Sequence, residues 1–148
     1  MEEVPHHAFI LVTNKEYWKK LSEGRKDGET ICYFIRKNQV GPAKVKELLF
    51  YVSKPSMQVL GTADFASRTT GDSQDLWEKY GKNSFFESAN EYMAFAEGRR
   101  KMTFIRFENF LQISSPLPKE ALRSLLGSLV WFRPRFVDKQ TAESLIGK

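Results

Sequence analysis

The sequence predicts an α+β fold: a small mixed sheet curled into a partial β pseudo-barrel, with helices plugging and covering it. Three observations lead there. Strand-like and helix-like stretches follow one another as strand, helix, strand, hairpin, two helices, long strand, helix, strand, helix, an order without the regular alternation of a doubly wound sheet. Of the 148 residues 12 are Phe, and aromatics reach 14%, a supply that suits an aromatic-packed sheet. Hydrophobic residues at 41% and charged residues at 28% are those of an ordinary globular chain. The length predicts a single domain over residues 1–148, large enough to bury one core without disulfide or metal staples.

The elements follow in order. Ala8 to Val12 is an apolar run that reads as a buried strand, and Thr13 or Asn14 can cap a helix that carries Tyr17, Trp18 and Leu21 and stops at Gly24. Arg25 to Gly28 reads as a charged turn, and Thr30 to Ile35 as a strand rich in β-branched and aromatic residues. Asn38 to Ala43 is a loop. Lys46 to Phe65 then reads as a β-hairpin. Leu48, Phe50 and Val52 alternate with Leu49 and Tyr51, so both faces of the first arm are apolar, as in a central strand. Lys54-Pro55-Ser56 breaks the run, and Met57, Val59 and Gly61 resume it with period two. Arg68 to Asp72 is polar and reads as a connection, with Asp72 capping a helix through Leu76 and Tyr80 to Gly81. Ser88 and Glu91 form a capping box for a helix with Tyr92, Phe95 and Ala96 on one side, ending at Gly98. Met102 to Ile113 is a long strand whose Arg106 and Glu108 predict a turn toward solvent or a bulge near Glu108-Asn109. Pro118 suits the start of a helix carrying Leu122, Leu125 and Leu126. Leu129 to Phe132 reads as a strand, and Asp138 as the cap of a last helix reaching Ile146.

The hairpin pattern Leu49-Phe50-Tyr51-x-Ser53-Lys54-Pro55, followed by Val59-Leu60-Gly61-x-Ala63, resembles the signature hairpin of the PUA-like domains. It is most similar to the ASCH type and to an archaeal uncharacterised branch. Tyr80 to Phe86 and Arg100 to Phe107 extend the resemblance, which spans residues 8 to 117. It implies a pseudo-barrel with a cleft that takes a splayed base while surrounding cations hold the backbone. The Gly-x-Lys-x-x-Glu-x-Arg motif of ASCH domains has no match before the hairpin, so its binding or catalytic residues are not carried over.

The leading functional expectation is therefore a non-enzymatic module that binds RNA, or a nucleic acid with a modified base. The net charge of +5 agrees with a polyanionic partner. The expected backbone contacts are Lys82, Arg99, Arg100, Lys101 and Arg106, followed by Arg133 and Arg135. Ser84 lies on the same loop as Lys82, a usual place for ligand contacts. Tyr51 and Trp131 are the expected stacking residues. Each has a plainer reading: a solvated turn after a helix C-terminus for Arg99 to Lys101, a docked Trp131 and Phe132 with arginines in solvent, and a loop anchored by Phe85 or Phe86. The hairpin itself reads as a platform for these elements. Two other classes stay open. A hydrolase acting on modified nucleosides or nucleic acid would need a group such as Lys101, Thr103 and Glu108, although alternation puts Thr103 and Glu108 on opposite faces. A protein-interaction domain would scatter its basic residues over the surface.

No cofactor is expected, since Gly-rich phosphate loops, nucleophile elbows and paired-cysteine motifs are all missing. His6, His7 and Cys32 have no metal-site spacing. Cys32 is the one cysteine and reads as a small buried hydrophobe in a reducing cytoplasm. No stretch approaches the roughly 20 apolar residues of a membrane helix, and Met1-Glu2-Glu3 lacks a signal-peptide n-region.

Overall fold

The computed structural model describes residues 6–26, 28–37, 42–130 and 132–147. Its strands are β1 (Ala8–Thr13), β2 (Arg25–Lys26), β3 (Glu29–Thr30), β4 (Tyr33–Arg36), β5 (Glu47–Val52), β6 (Gln58–Asp72), β7 (Lys101–Gln112) and β8 (Arg135–Val137). Its helices are α1 (Lys15–Glu23), α2 (Ser73–Tyr80), α3 (Ala89–Ala96), α4 (Lys119–Leu126) and α5 (Lys139–Leu145), with a 3-10 turn at Gly81–Asn83. Six strands form one mixed sheet in the order β4-β7-β6-β5-β1-β8, while β2 and β3 pair apart from it. This is the α+β class that the sequence predicts. The chain forms two compact units, one of Met1–Trp18, Lys44–Phe65 and Asn109–Lys148, the other of Lys19–Ala43 and Ala66–Glu108.

In the first unit β5 is central as expected, parallel to β1 and antiparallel to β6. Leu48, Leu49, Phe50, Tyr51 and Val52 are all buried. Leu49 and Tyr51 face a core with Ile10, Val59, Leu122, Leu126, Ala142 and Leu145, which seats the apolar sides of α4 and α5. Phe50, on the other face, packs against Trp18 and Phe110. The pairing of Phe50 with Gly61 and of Tyr51 with Val59 leaves Leu60 as an extra residue. This bulge reverses the phase of β6: Val59 joins the core beside Tyr51, whereas Gly61 lies under the Trp18 ring. The sequence placed Val59 and Gly61 on one face, a reading that holds only without a bulge.

In the second unit β4 pairs antiparallel with β7, Phe34 opposite Ile105. Its core is aromatic, as the composition predicts: Tyr92 is fully buried, stacks on Trp77 with centroids 4.9 Å apart, and meets Phe86 and Phe104 edge-on. The Tyr92 hydroxyl donates to the Ser73 carbonyl at 2.8 Å, within the core. Phe85 and Phe86 are both buried, so both anchor their loop.

Four caps expected from the sequence form. The Asn14, Asp72, Ser88 and Asp138 side chains accept from the amides of Tyr17 (2.8 Å), Asp75 (3.0 Å), Glu91 (3.1 Å) and Thr141 (2.8 Å). Gly24 ends α1 with a φ of +74°, and Asn109 adopts +52° where the sequence predicts a bulge in the long strand. Other expectations need correction. Arg68 to Asp72 is the end of β6 rather than a loop, because a ladder asks only for backbone groups and polar side chains do not prevent it. Thr30 to Ile35 is interrupted after β3, Leu129 to Val130 is not a strand, and the edge strand β8 forms instead at Arg135–Val137.

Candidate functional site

The turn of the β5–β6 hairpin opens a cavity of about 360 Å³ in the first unit, lined by Val12, Tyr51, Ser53, Lys54, Met57, Leu129, Val130 and Phe132. The parallel strands β1 and β5 both end at it, which brings Val12 and Tyr51 side by side in register. The Ser53 amide donates to the Thr13 carbonyl at 2.9 Å and ties the turn to the end of β1. A cis Lys54–Pro55 bond and a φ of +50° at Met57 shape the return into β6, and a positive φ is uncommon for a side-chain-bearing residue. The Tyr51 ring packs on Phe132, centroids 4.4 Å apart. Arg135 lies over the other ring partner, Phe132, at 4.4 Å and donates to the Leu126 carbonyl at 3.0 Å, fixing that wall. Burial pushes the Tyr51 phenol up in pKa, so at neutral pH it is a proton donor. Lys54 is exposed at the rim. The described lining thus has apolar walls, the neutral hydroxyls of Tyr51 and Ser53 and the cation of Lys54, the composition of a small-molecule or base pocket.

A second cavity, of about 540 Å³, lies in the other unit and is lined by Asp72, Arg99, Arg100 and Lys101. Helix α3 ends through Glu97 and Gly98, at φ +52° and +76°, and the chain turns at once into the exposed Arg99-Arg100-Lys101. The Ser73 amide donates to the Arg100 carbonyl at 2.8 Å, holding this turn against the start of α2. Asp72 is the one acid among the described residues of the lining, and its carboxylate is engaged as the α2 cap.

The remaining expected site residues are dispersed. Lys82 is exposed but lines a different cavity, with Glu29, Glu78, Glu87 and Trp77. Ser84 is fully buried and donates to the Gly81 carbonyl at 2.7 Å. Arg106 is exposed opposite Tyr33 in the β4–β7 ladder. Its charge beside Cys32 lowers the thiol pKa, but burial outweighs it and the net shift is upward. Arg133 is exposed, Arg135 is engaged as above, and Trp131 lies outside the described residues. Sequence reasoning did not single out Ser53, Lys54, Met57 or Phe132 as a group. The available signal was the Ser53-Lys54-Pro55 turn, already part of the family-like hairpin. Among the described residues no three His, Cys, Asp or Glu side chains stand together as metal ligands would, and no helix is long and apolar enough to cross a membrane.

A family model described as a domain of unknown function, DUF365, matches residues 10–128. The chain belongs to the DUF365 family. This DUF365 protein is also 25% identical over 145 residues to an ASCH domain-containing ribonuclease of Zymomonas mobilis, covering 94% of each chain. The crystal structure of ASCH from Zymomonas mobilis matches with a TM-score of 0.78 at 21% identity, over 95% of this chain and 94% of that one. A serine-to-alanine mutant of that protein matches at 0.79 and 21% identity, over 97% and 96%. The N-terminal domain of Staphylothermus marinus McrB matches at 0.64 with 8% identity, over 100% and 98%. The fold is therefore of the ASCH, PUA-like type, as the hairpin resemblance implies.

Proposed function

We propose that this protein is a single ASCH-type domain that binds RNA, taking one nucleotide into the cavity at the hairpin turn. The observation that carries the reading is that cavity's composition. Tyr51, Ser53 and Lys54 meet the apolar Val12, Met57, Leu129 and Phe132 in a space of the size that small ligands occupy. Apolar walls suit a splayed base, Lys54 suits its phosphate, and the protonated Tyr51 phenol can donate to either. The ribonuclease similarity over 94% of both chains supports RNA as the ligand class. The lone Cys32 supports a reducing, cytoplasmic setting.

Two of these side chains, Tyr51 and Lys54, favour a second reading, cleavage of the bound strand. In such a reaction the ribose 2′-oxygen bonds to phosphorus and the bond from phosphorus to the 5′-oxygen breaks. The 2′ proton leaves to solvent, the departing oxygen takes one from Tyr51, and the phenolate regains a proton from solvent, while Lys54 offsets the charge on the phosphoryl oxygens. The test is a titration of fluorescent single-stranded RNA at two salt concentrations, with product analysis. Lys54→Ala is expected to weaken binding about tenfold, the loss of one phosphate contact. Tyr51→Phe is expected to leave the fold intact and to abolish cleavage if the second reading holds. Absence of RNA binding at low salt refutes the proposal.

A further inference from the structure

The second unit brings positive charge together on one face of its sheet. Arg36 pairs with Thr103 across the β4–β7 ladder, so the two side chains share a face. On the other side of β7, the Thr103 and Thr70 hydroxyls stand 2.9 Å apart, and Ser73 meets Arg100 through its amide. These contacts fix β6 and β7 as antiparallel neighbours with Thr70 opposite Thr103. Strand alternation then puts Arg68, two residues before Thr70, and Lys101, two before Thr103, on that same face. Lys101 and Asp72 indeed line one cavity with Arg99 and Arg100.

Two of these cations are close enough to oppose each other's charge. Partial burial lowers the Arg36 pKa, and the neighbouring positive charge of Arg68 lowers it further. Two guanidinium groups on one face offer charge-assisted donors to an oxyanion bound between them. The hydroxyl pair adds neutral donors. Thr103 is fully buried while Thr70 is exposed, so when Thr103 donates to Thr70 the outer hydroxyl proton is free to point at a ligand.

We propose that this face, from Arg36 and Arg68 across Thr70 and Thr103 to the Arg99–Lys101 turn, binds the phosphates of a nucleic-acid strand. The inference rests on the nucleic-acid reading above and adds a second phosphate-binding place, apart from the hairpin cavity in its residues. Contacts are to the backbone, so binding here is independent of base sequence and falls with salt.

The experiment uses the full chain, labelled with nitrogen-15, and follows amide shifts with three probes in turn: single-stranded RNA, single-stranded DNA of the same sequence, and tripolyphosphate. Both strands are expected to shift the Thr70, Lys101 and Thr103 amides. Arg68→Ala and an Arg99→Ser, Arg100→Ser, Lys101→Ser variant are expected to remove those shifts. The slope of log affinity against log salt is expected to fall by about 0.7 for each lost phosphate contact. Arg68 and the turn residues are exposed or half-buried, so folding can be checked by the unperturbed spectrum of the remaining amides. RNA binding without shifts on this face, or with an unchanged salt slope in both variants, overturns the inference and leaves the hairpin-cavity reading intact. Shifts with tripolyphosphate but with neither strand support the anion site and refute the nucleic-acid reading. Shifts with none of the three overturn it outright.

Discussion

Replacing Gly61 by alanine should destabilise the protein, although glycine is ordinarily a poor strand residue. A Cβ at position 61 would lie 2.5 Å from Cη2 of Trp18, 3.1 Å from Cζ3 of the same ring and 3.1 Å from the Leu111 carbonyl oxygen. Carbon atoms in ordinary contact sit about 3.5–4.0 Å apart, so the indole would have to retreat by about 1 Å. Behind it stand Phe50 and Phe110, with ring centroids 6.2 Å and 5.6 Å from that of Trp18 and packed edge-on against each other. The opposite neighbour is backbone and has no rotamer to change. Forcing a methyl into such a site costs about 1–3 kcal/mol. The alanine regains about 0.5–1 kcal/mol of chain entropy. The clash outweighs the entropy over nearly all of these two ranges, and a net loss centred near about 1 kcal/mol and reaching about 2.5 kcal/mol is expected from their difference. Urea denaturation followed by tryptophan fluorescence measures it. Trp18→Phe should cost stability alone, yet because it removes the clashing ring atoms the double variant should lose less than the sum of the single losses, by at least about 0.5 kcal/mol, the coupling expected of residues in contact. A Gly61→Ala protein as stable as the parent would refute the placement of Trp18 over β6.

Two further outcomes concern the second unit. Burial, aided by the Asp72 charge, pushes the Tyr92 phenol up to about 12, against about 10 in the unfolded chain. Its stabilisation is therefore complete below pH 10 and is lost as the pH climbs from there toward 12. Tyr92→Phe should flatten that part of a stability-versus-pH curve, and at neutral pH cost about 1 kcal/mol for the hydrogen bond to Ser73. Ser88→Ala should cost about 1 kcal/mol through loss of the α3 cap, and thermal denaturation by circular dichroism checks this.

What could be read from the sequence divides along physical lines. Central β5 was legible because alternating large apolar residues on both faces admit few other placements, and four helix caps were legible because a single short polar side chain makes each. Arg68 to Asp72 was not, since its strand character rests on backbone pairing with β7 and its side chains are polar. Leu129 misled for the converse reason: it is buried in the core, but as a plug from irregular backbone and not as part of a ladder. The basic turn at Arg99 to Lys101 was legible as three consecutive cations, whereas its arginine neighbours Arg36 and Arg68 come from strands far apart in the chain. The hairpin cavity was hidden in the same way. Val12, Tyr51, Lys54 and Phe132 share no spacing: the parallel pairing of β1 with β5 brings Val12 beside Tyr51, and Phe132 reaches the Tyr51 ring from the chain after α4.

The extra residue at position 60 also bears on how this family can vary in length. Pairings on both sides of the bulge are complete without Leu60, so a relative one residue shorter there keeps Val59 beside Tyr51 and Gly61 beside Phe50. It gives up chiefly the carbonyl that receives the Ile113 amide at 2.9 Å. A deletion a residue or two to either side instead moves Leu60 into the place of Val59 or of Gly61, opposite Tyr51 or Phe50. Position 60 is therefore where this hairpin can lose a residue with the smallest change to its pairing.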